Sequence, residues 1–187
     1  MSEDAELIQA TLDGDSSAFG QLVRRYQDRL YHTTASLIGS TEDARDVVQD
    51  TFVQAFIKLE TFKHKSAFYT WLYRIAMNLA ASRARRRRPR ASVDEIRERV
   101  GNEPIDGSAG PRERAEQVER VEQVRAALSC LSDEHREVLV LREIEGFHYE
   151  AIAEILELPV GTVRSRLFRA RMQLRETLKQ TVGEDIG

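Results

Sequence analysis

Four side chains near the C-terminal end of this 187-residue chain have the chemistry needed to read nucleic-acid bases. A helix over 160–179 would place them on one face, opposite an apolar stripe that runs from Val163 to Leu178. Arginine can hydrogen-bond guanine through two N–H groups, and an apolar ring can contact the methyl group of thymine. An arginine-rich surface helix of an all-α protein is the alternative to DNA binding. The predicted base readers are Arg164, Ser165, Phe168 and Arg169.

A preceding helix and a tight turn are needed to position this basic helix. The apolar stripe within Tyr149–Glu157 predicts a short helix, and Pro159 in the turn that follows is suited to the start of a new one. In a helix-turn-helix domain, the second helix enters the major groove with its N-terminal residues on the bases. The order of helix, turn and basic helix therefore predicts this motif over 149–179.

A second basic segment combines cations with aromatic rings. Residues 61–90 contain nine Lys and Arg and no Asp or Glu, and the apolar period predicts a helix from about Phe68 to Arg87. Basic side chains neutralise phosphates and aromatic rings stack on bases that leave the duplex, so the segment suits opened or single-stranded DNA. Core packing is the alternative for each of the rings Tyr69, Trp71 and Tyr73.

Two acidic residues lie on one line of the helix that Ser40 or Thr41 is expected to cap. Asp46 and Asp50 are about one turn apart and face away from the apolar stripe. Carboxylates at that spacing repel each other slightly, so helix stability does not account for the pair. We interpret this acidic strip as a docking surface for a basic partner, with an ordinary solvated face as the alternative. No histidine or third carboxylate joins the face to make a metal site.

The composition predicts an all-α protein without catalytic residues, metal or cofactor. The chain has only 4 prolines and 10 glycines, and its apolar residues follow helical spacing through most of its length. The lone Cys130 lies in an apolar helical pattern and is expected to be buried, and the chain has no second cysteine for a disulfide and no Cys/His cluster for zinc. An acidic N-terminus and the lack of any run near ~18 apolar residues predict a cytoplasmic protein without membrane insertion.

The chain is predicted to divide into two small helical domains. Residues 1–90 form the first and 115–181 the second, followed by a tail at 182–187. Residues 91–114 lack a strong period and contain glycines and prolines, which predicts a flexible linker. Because two basic patches are separated by an acidic span, the charge pattern indicates two contacts with a polyanion.

Three stretches together resemble the extracytoplasmic function sigma factors of bacterial RNA polymerase. They occur in the order and spacing of that family, on both sides of the linker, and the last two are similar to the group typified by the envelope-stress sigma factor. The resemblance implies two helical domains, sigma2 and sigma4, and a transcription initiation factor that is not an enzyme. The stretches are DARDVVQDTFVQAF (Asp43–Phe56), SAFYTWLYRIAMNLA (Ser66–Ala80) and LPVGTVRSRLFRARMQL (Leu158–Leu174).

The resemblance also implies a role for each segment. Sigma4 would read the −35 promoter element and contact the flap of the second-largest polymerase subunit, and sigma2 would recognise and melt the −10 element. The acidic strip would dock on the clamp helices of the largest subunit, and an anti-sigma factor is a further expected partner. The implied −10 residues are Phe62, Lys63, Ser66, Ala67, Trp71, Arg74, Asn78 and Arg85, and the implied polymerase-binding residues are Asp46, Gln49 and Asp50.

The chain departs from the family at Lys63-His64-Lys65, where relatives often carry a glycine and an acid. The resemblance further implies that the linker runs towards the active-site cleft of polymerase, where its acids mimic nucleic acid. Two other classes of protein agree less well with the residues. A stand-alone transcriptional regulator leaves the acidic strip and the Trp71 helix without a purpose, and a helical nuclease would need a metal cluster or a nucleophile. The linker acids are Asp94, Glu95, Glu98, Glu103 and Asp106.

Overall fold

The computed structural model describes residues 2–87, 123–124 and 126–184, and every regular element within these ranges is helical. The N-terminal domain contains α1 (Glu3–Leu12), α2 (Ser16–Ile38), α3 (Thr41–Ile57) and α4 (Phe68–Arg87). The C-terminal domain contains α5 (Asp133–Leu139), α6 (Tyr149–Leu156) and α7 (Val160–Glu184). The prediction of an all-α fold with two small helical domains is confirmed. The predicted linker, 91–114, lies outside the described residues.

Two short irregular helices extend this framework. A 3-10 turn at Leu59–Thr61 follows α3 and leads into the loop before α4. A π-helical segment at Val140–Ile144 continues α5 directly, so the chain stays helical up to the sharp turn before α6. At the C-terminal end, α7 continues to Glu184 and so includes the first part of the predicted tail.

The helix ends follow capping signals that are visible in the sequence. The Asp15 carboxylate accepts a hydrogen bond from the amide of Ser17 at 2.9 Å, and the Ser40 hydroxyl accepts one from the amide of Asp43 at 3.4 Å. These side chains satisfy backbone N–H groups that have no partner within the first turn of a helix. Of the two caps predicted for α3, Ser40 is therefore the one that is used.

Each domain has an apolar core that follows from the helical spacing of its large side chains. In the N-terminal domain, α2 packs against α1 and α3, and α3 packs against α4; in the C-terminal domain, α7 packs against α5 and α6. Complete burial of one Val, Leu or Ile side chain contributes about 1.5–3 kcal/mol. Completely buried side chains include Leu22, Leu30, Val47 and Leu72 in the first core and Val138, Leu141, Ile152 and Val163 in the second.

The two domains also pack against each other. Helix α6 lies against α4, and α5 and its π-helical extension contact α2. The Phe147 ring stacks on Tyr69 with centroids 5.2 Å apart and meets the edge of Tyr73 at 5.2 Å. The helix-turn-helix therefore rests on α4, the helix predicted to bind opened DNA.

The prediction that Cys130 is buried is wrong. Residues 126–129 are helical, but Cys130 lies in the turn that ends this helix, and it is exposed. The apolar period continues on the far side of the turn at Leu131, which is buried. The helical spacing around Cys130 suggested one continuous helix, but the chain turns at Cys130 and leaves its side chain exposed.

Candidate nucleic-acid interface

The predicted base-reading residues lie on the face of α7 that points away from the core. Val163, Leu167 and Ala170 are at most 1% exposed, which turns the opposite face of the helix to solvent. Phe168 is 69% exposed, so its ring lies in solvent between the exposed Arg164 and Arg169. The structure brings all four predicted readers onto this face as exposed side chains: Arg164, Ser165, Phe168 and Arg169.

Two further arginines of α7 have a different task. The Arg166 guanidinium lies 3.0 Å from a carboxylate oxygen of Glu134, and that of Arg171 lies 2.6 Å from Glu143. Both ion pairs join α7 to the α5 segment, so these cations hold the helix on its own domain. The structure thus separates the arginines of α7 into a free face and a bracing face, which the sequence shows as one basic run.

The turn before α7 is set by a residue that the sequence did not single out. Glu157 has φ +54°, in the left-handed region that seldom accommodates a side chain, and it ends α6. The amide of Leu158 then donates to the carbonyl of Ala153 at 2.9 Å, and the Pro159 carbonyl accepts from the amide of Thr162 at 2.9 Å. These bonds complete the predicted helix-turn-helix by closing one helix and opening the next within three residues.

Aromatic side chains form a compact cluster at the start of α4. The Phe62 ring is 8% exposed and lies 5.8 Å from Phe68 and 5.2 Å from Trp71, measured between centroids. His64 also stacks on Phe62 at 4.6 Å, and its φ of +52° is the backbone conformation that glycine adopts most easily. Phe62 is therefore the buried side chain on which the loop packs, while the Trp71 side chain is only partly buried.

The remaining residues predicted for the −10 element spread along the loop and the outer face of α4. Lys63, Ala67 and Asn78 are exposed. The Ser66 hydroxyl donates to a carboxylate oxygen of Glu154 at 2.6 Å, and the Arg74 guanidinium lies 2.7 Å from Glu157. Both partners belong to the C-terminal domain. The backbone of Arg85 is helical, but its side chain lies outside the described part of the chain.

A buried carboxylate joins the two domains next to this face. Glu145 is 7% exposed, and it accepts hydrogen bonds from the guanidinium of Arg29 at 2.7 Å and from the hydroxyls of Thr33 and Tyr69. The hydroxyl oxygens of Tyr69 and Tyr73 also lie 2.8 Å apart, within hydrogen-bond distance. Burial, reinforced by the nearby carboxylate, raises the pKa of both phenols, so they stay protonated.

Sequence reasoning missed Glu145 altogether. Its three hydrogen-bonding partners lie 76 to 116 positions away in the chain, so no local spacing connects them. Glu145 directly follows the π-helical extension of α5 and is one of several acids in this region, and the pattern does not distinguish it from those that face water. Only the packing of α5 on α2 shows that this acid is inside.

The acidic strip on α3 has a partner within the molecule. Arg83 of α4 reaches across with one nitrogen 3.0 Å from Asp46 and another 2.8 Å from Asp50. The expectation from the spacing alone overlooked Arg83, because its guanidinium contacts both carboxylates and offsets their mutual repulsion. The two side chains remain 56% and 50% exposed, and the neighbouring Gln49 lines a groove between α2 and α3 together with Tyr31 and Phe52.

Neither a metal centre nor a membrane-spanning helix is found in the described ranges. No three His, Cys, Asp or Glu side chains of residues 2–87, 123–124 and 126–184 are grouped so that they could hold a metal ion. No helix in the same ranges is both long enough and apolar enough to cross a bilayer. What the structure offers is two surfaces of basic, polar and aromatic side chains, one on α4 and one on α7.

Comparison with protein families assigns both domains. The family described as Sigma-70 region 2 matches residues 22–90, and that described as Sigma-70, region 4 matches residues 121–174. The RNA polymerase sigma-H factor of Pseudomonas aeruginosa is 37% identical over 97% of each chain. The ECF RNA polymerase sigma-E factor of Escherichia coli is 40% identical over 90% of each chain.

A solved structure agrees with these relatives. The sigma factor RpoE from Bartonella quintana, in complex with the anti-sigma factor NepR, is 29% identical and superimposes with a TM-score of 0.70. The match covers 86% of this chain and 96% of the other. Both the sequence and the arrangement of helices are therefore shared with proteins of one family.

Proposed function

This chain belongs to the extracytoplasmic function group of the sigma-70 family, and on that basis we propose which of its surfaces perform each step of promoter recognition. The protein is a sigma factor, a transcription initiation factor without enzymatic activity that directs core RNA polymerase to promoters. The N-terminal domain corresponds to sigma2 and the C-terminal domain to sigma4. The proteins of this family act with polymerase in the cytoplasm, and we assign this chain to the same compartment.

The −35 element is read by the exposed face of α7. The observation that carries this assignment is Phe168, 69% exposed between Arg164 and Arg169, on a helix whose other face is fully buried. The described residues leave that ring largely uncovered, whereas thymine methyl groups in a major groove would cover it. Within the described residues the ion pairs of α7 use other arginines, so these two keep N–H groups for guanine, although the Arg164 guanidinium also lies 5.9 Å from the centre of the Tyr149 ring.

The −10 element is recognised by the loop before α4 and by the outer face of that helix. Phe62 and Phe68 form the floor of the loop, Trp71 offers a partly covered ring, and Asn78 offers an exposed amide one turn beyond Arg74. A base that leaves the duplex can stack on such a ring while basic residues neutralise its phosphate. We assign Lys63 and Arg85 to neutralising the phosphate, and Ser66 and Ala67 to the wall of the loop.

Core polymerase binds the acidic strip and the groove beside it. Asp46 and Asp50 keep at least half of their side-chain surface exposed beside Arg83, so a basic partner can approach both carboxylates and replace Arg83 as their counter-ion. The groove between α2 and α3 adds apolar surface at Phe52 and Val53. An anti-sigma factor is a further partner, as the complex of the related Bartonella quintana protein supports.

Run-off transcription with bacterial core polymerase on a library of random promoters tests this function. We expect transcripts that share a −35 and a −10 consensus. Arg169→Ala should lose about 1–3 kcal/mol of preference at one −35 position, because one arginine–guanine contact contributes that much. Arg171→Ala is the matched control on the same helix, since Arg171 is bound to Glu143. An equal loss on all promoters for Arg169→Ala would contradict the base-reading role.

The docking assignment is tested by Asp50→Arg. The reversed charge should repel Arg83 and the basic partner alike, and we expect at least a tenfold weaker affinity for core polymerase, about 1.4 kcal/mol. Fluorescence titration of labelled sigma factor with core enzyme measures it. The control is Glu6→Arg, the same charge change at an exposed position of α1. Equal affinities for the two variants would reject the acidic strip as the docking surface.

A further inference from the structure

A single arginine spans the two carboxylates of the acidic strip. Arg83 belongs to α4, which packs against α3, and two of its nitrogens lie 3.0 Å from Asp46 and 2.8 Å from Asp50. A guanidinium holds its N–H groups in a rigid planar fork, which lets it donate to two carboxylates at once. Arg83 therefore makes, inside the molecule, the contact that a basic partner is proposed to make.

This bridge lies at the surface of the domain. The Arg83 side chain is 31% exposed, and both aspartates are at least half exposed. Ion pairs with this exposure contribute little to the folded state, because water and salt compete for both partners. The bridge can therefore break while α3 and α4 stay folded, and the two carboxylates then become available to another cation.

The bridge also changes the charge that an approaching partner meets. Asp46 and Asp50 are one helical turn apart and repel each other, and the positive charge of Arg83 offsets part of their negative charge. Attraction between opposite charges speeds the association of two proteins, and dissolved salt weakens that attraction. Arg83 therefore reduces the attraction between the acidic strip and a basic partner.

A second arginine makes a similar bridge away from the acidic strip. Arg25 of α2 lies 2.6 Å from Glu3 and 2.5 Å from Asp4, both on α1, and its side chain is 32% exposed. Arg25 and Arg83 thus have the same charge, nearly the same exposure and the same number of acidic partners. They differ in whether those acids are proposed to bind polymerase.

We propose that Arg83 is an internal counter-ion that competes with core polymerase for Asp46 and Asp50, and that it thereby lowers the affinity of the sigma factor for the enzyme. The inference rests on the docking role proposed for the acidic strip. Docking is then an exchange in which basic groups of polymerase replace one guanidinium. The exchange favours a partner whose N–H donors match the spacing of the two carboxylates.

Binding of the labelled full-length protein to core polymerase tests this exchange. Each exposed ion pair changes an equilibrium constant only a few-fold, so Arg83→Gln should bind about three- to tenfold more tightly than the unchanged protein. Stopped-flow association should also become faster, most clearly at low salt. An unchanged or weaker affinity in Arg83→Gln would overturn the proposal, because Arg83 would then have no effect on docking or would assist it.

The matched control is Arg25→Gln. It removes the same charge and a bridge to two acids at nearly equal exposure. Its affinity for core polymerase and the salt dependence of its association rate should equal those of the unchanged protein. A gain as large as that of Arg83→Gln would show that net charge alone sets the affinity, and it would overturn the local exchange.

A variant without the two acids separates this inference from the docking assignment. Asp46→Asn, Asp50→Asn should bind core polymerase more weakly than the unchanged protein, and adding Arg83→Gln should change nothing further. Unchanged affinity in the double variant would reject the docking surface and the exchange together. A weaker double variant, combined with no gain from Arg83→Gln in the unchanged background, would overturn the exchange alone. A gain from Arg83→Gln without the two acids would also overturn it.

Discussion

The two DNA-binding faces of this sigma factor differ in how far other parts of the protein already contact them. On α7 the reading residues stand free in solvent, with Phe168 uncovered. At α4 and the loop before it, Ser66 and Arg74 are engaged by carboxylates of the other domain, and the hydrogen bonds of Glu145 lie beside them. The ring of Phe168 is thus left to solvent, whereas two donors proposed for the −10 element already have partners in the C-terminal domain.

The two helices also differ in whether the same residues serve both stability and DNA recognition. On α7 a buried residue and an exposed reader are adjacent in the chain, so stability and recognition are assigned to alternate faces of one helix. On α4 the same tyrosines that pack in the core also hold the interface with the C-terminal domain. Substitutions should therefore separate stability from DNA binding on α7 and should fail to separate them on α4.

The largest expected effect comes from Leu167→Ala on α7. Leu167 is 1% exposed, and truncation of a buried leucine costs about 2–5 kcal/mol because it removes contacts and leaves a cavity. We expect faster hydrogen exchange at the amides of α5 to α7, measured by mass spectrometry. The adjacent Phe168→Ala should leave exchange unchanged, since surface substitutions usually lie within about 0.5 kcal/mol, yet should lose −35 preference. A large exchange effect for Phe168→Ala would break the comparison.

Tyr73→Phe should have an intermediate effect on α4. The Tyr73 hydroxyl is buried and lies 2.9 Å from the Thr33 hydroxyl and 2.8 Å from that of Tyr69. Its removal leaves those partners short of one hydrogen bond, which costs about 1–2 kcal/mol. Hydrogen exchange should rise in α2 and α4 and also in α5 to α7, because this hydroxyl lies next to the Tyr69–Glu145 hydrogen bond between the domains. Tyr31→Phe, on the far groove of α2, is the control, and equal exchange in Tyr73→Phe and the unchanged protein would contradict the role of the hydroxyl.

The smallest expected effect is a pH dependence that belongs to the C-terminal domain. Burial, followed by the charge of Asp133, raises the pKa of Glu137 to about 6. The folded domain therefore binds this proton more tightly than the unfolded chain does. The stabilisation that the bound proton gives to the folded domain is complete below about pH 4.5 and is lost as the pH rises through 6. The loss is no more than about 2 kcal/mol and is reduced by partial exposure of the carboxyl.

Glu137→Gln should remove this dependence and stabilise α5 to α7 at neutral pH, while the exposed Glu150→Gln should not. Hydrogen exchange of the C-terminal domain at pH 5 and pH 7, corrected for the intrinsic exchange rates, measures the difference. A stability that rises with pH in the unchanged protein, or that does not differ from the variant, would contradict the assignment to Glu137.

Most of the local structure could be predicted because its causes are local. Ser40 caps α3 and the period of 68–87 makes α4, since capping and apolar spacing act within a few residues. The exposed face of α7 could be predicted for the same reason. The exposure of Cys130 could not be predicted, because a turn interrupts an apolar pattern that looks continuous in the sequence.

The amino-acid sequence by itself determined that this protein is all-helical, that it has two domains, and that it carries two faces suited to DNA. Those properties depend on spacing along one helix at a time, and the three stretches that mark the family are each contiguous. The tertiary structure decided which charged side chains are free. Arg83 contacts the acidic strip from another helix, and Glu145 accepts a hydrogen bond from Arg29, which lies 116 positions earlier in the chain. Charges interact through space over a few ångströms, and only the packed helices set those distances.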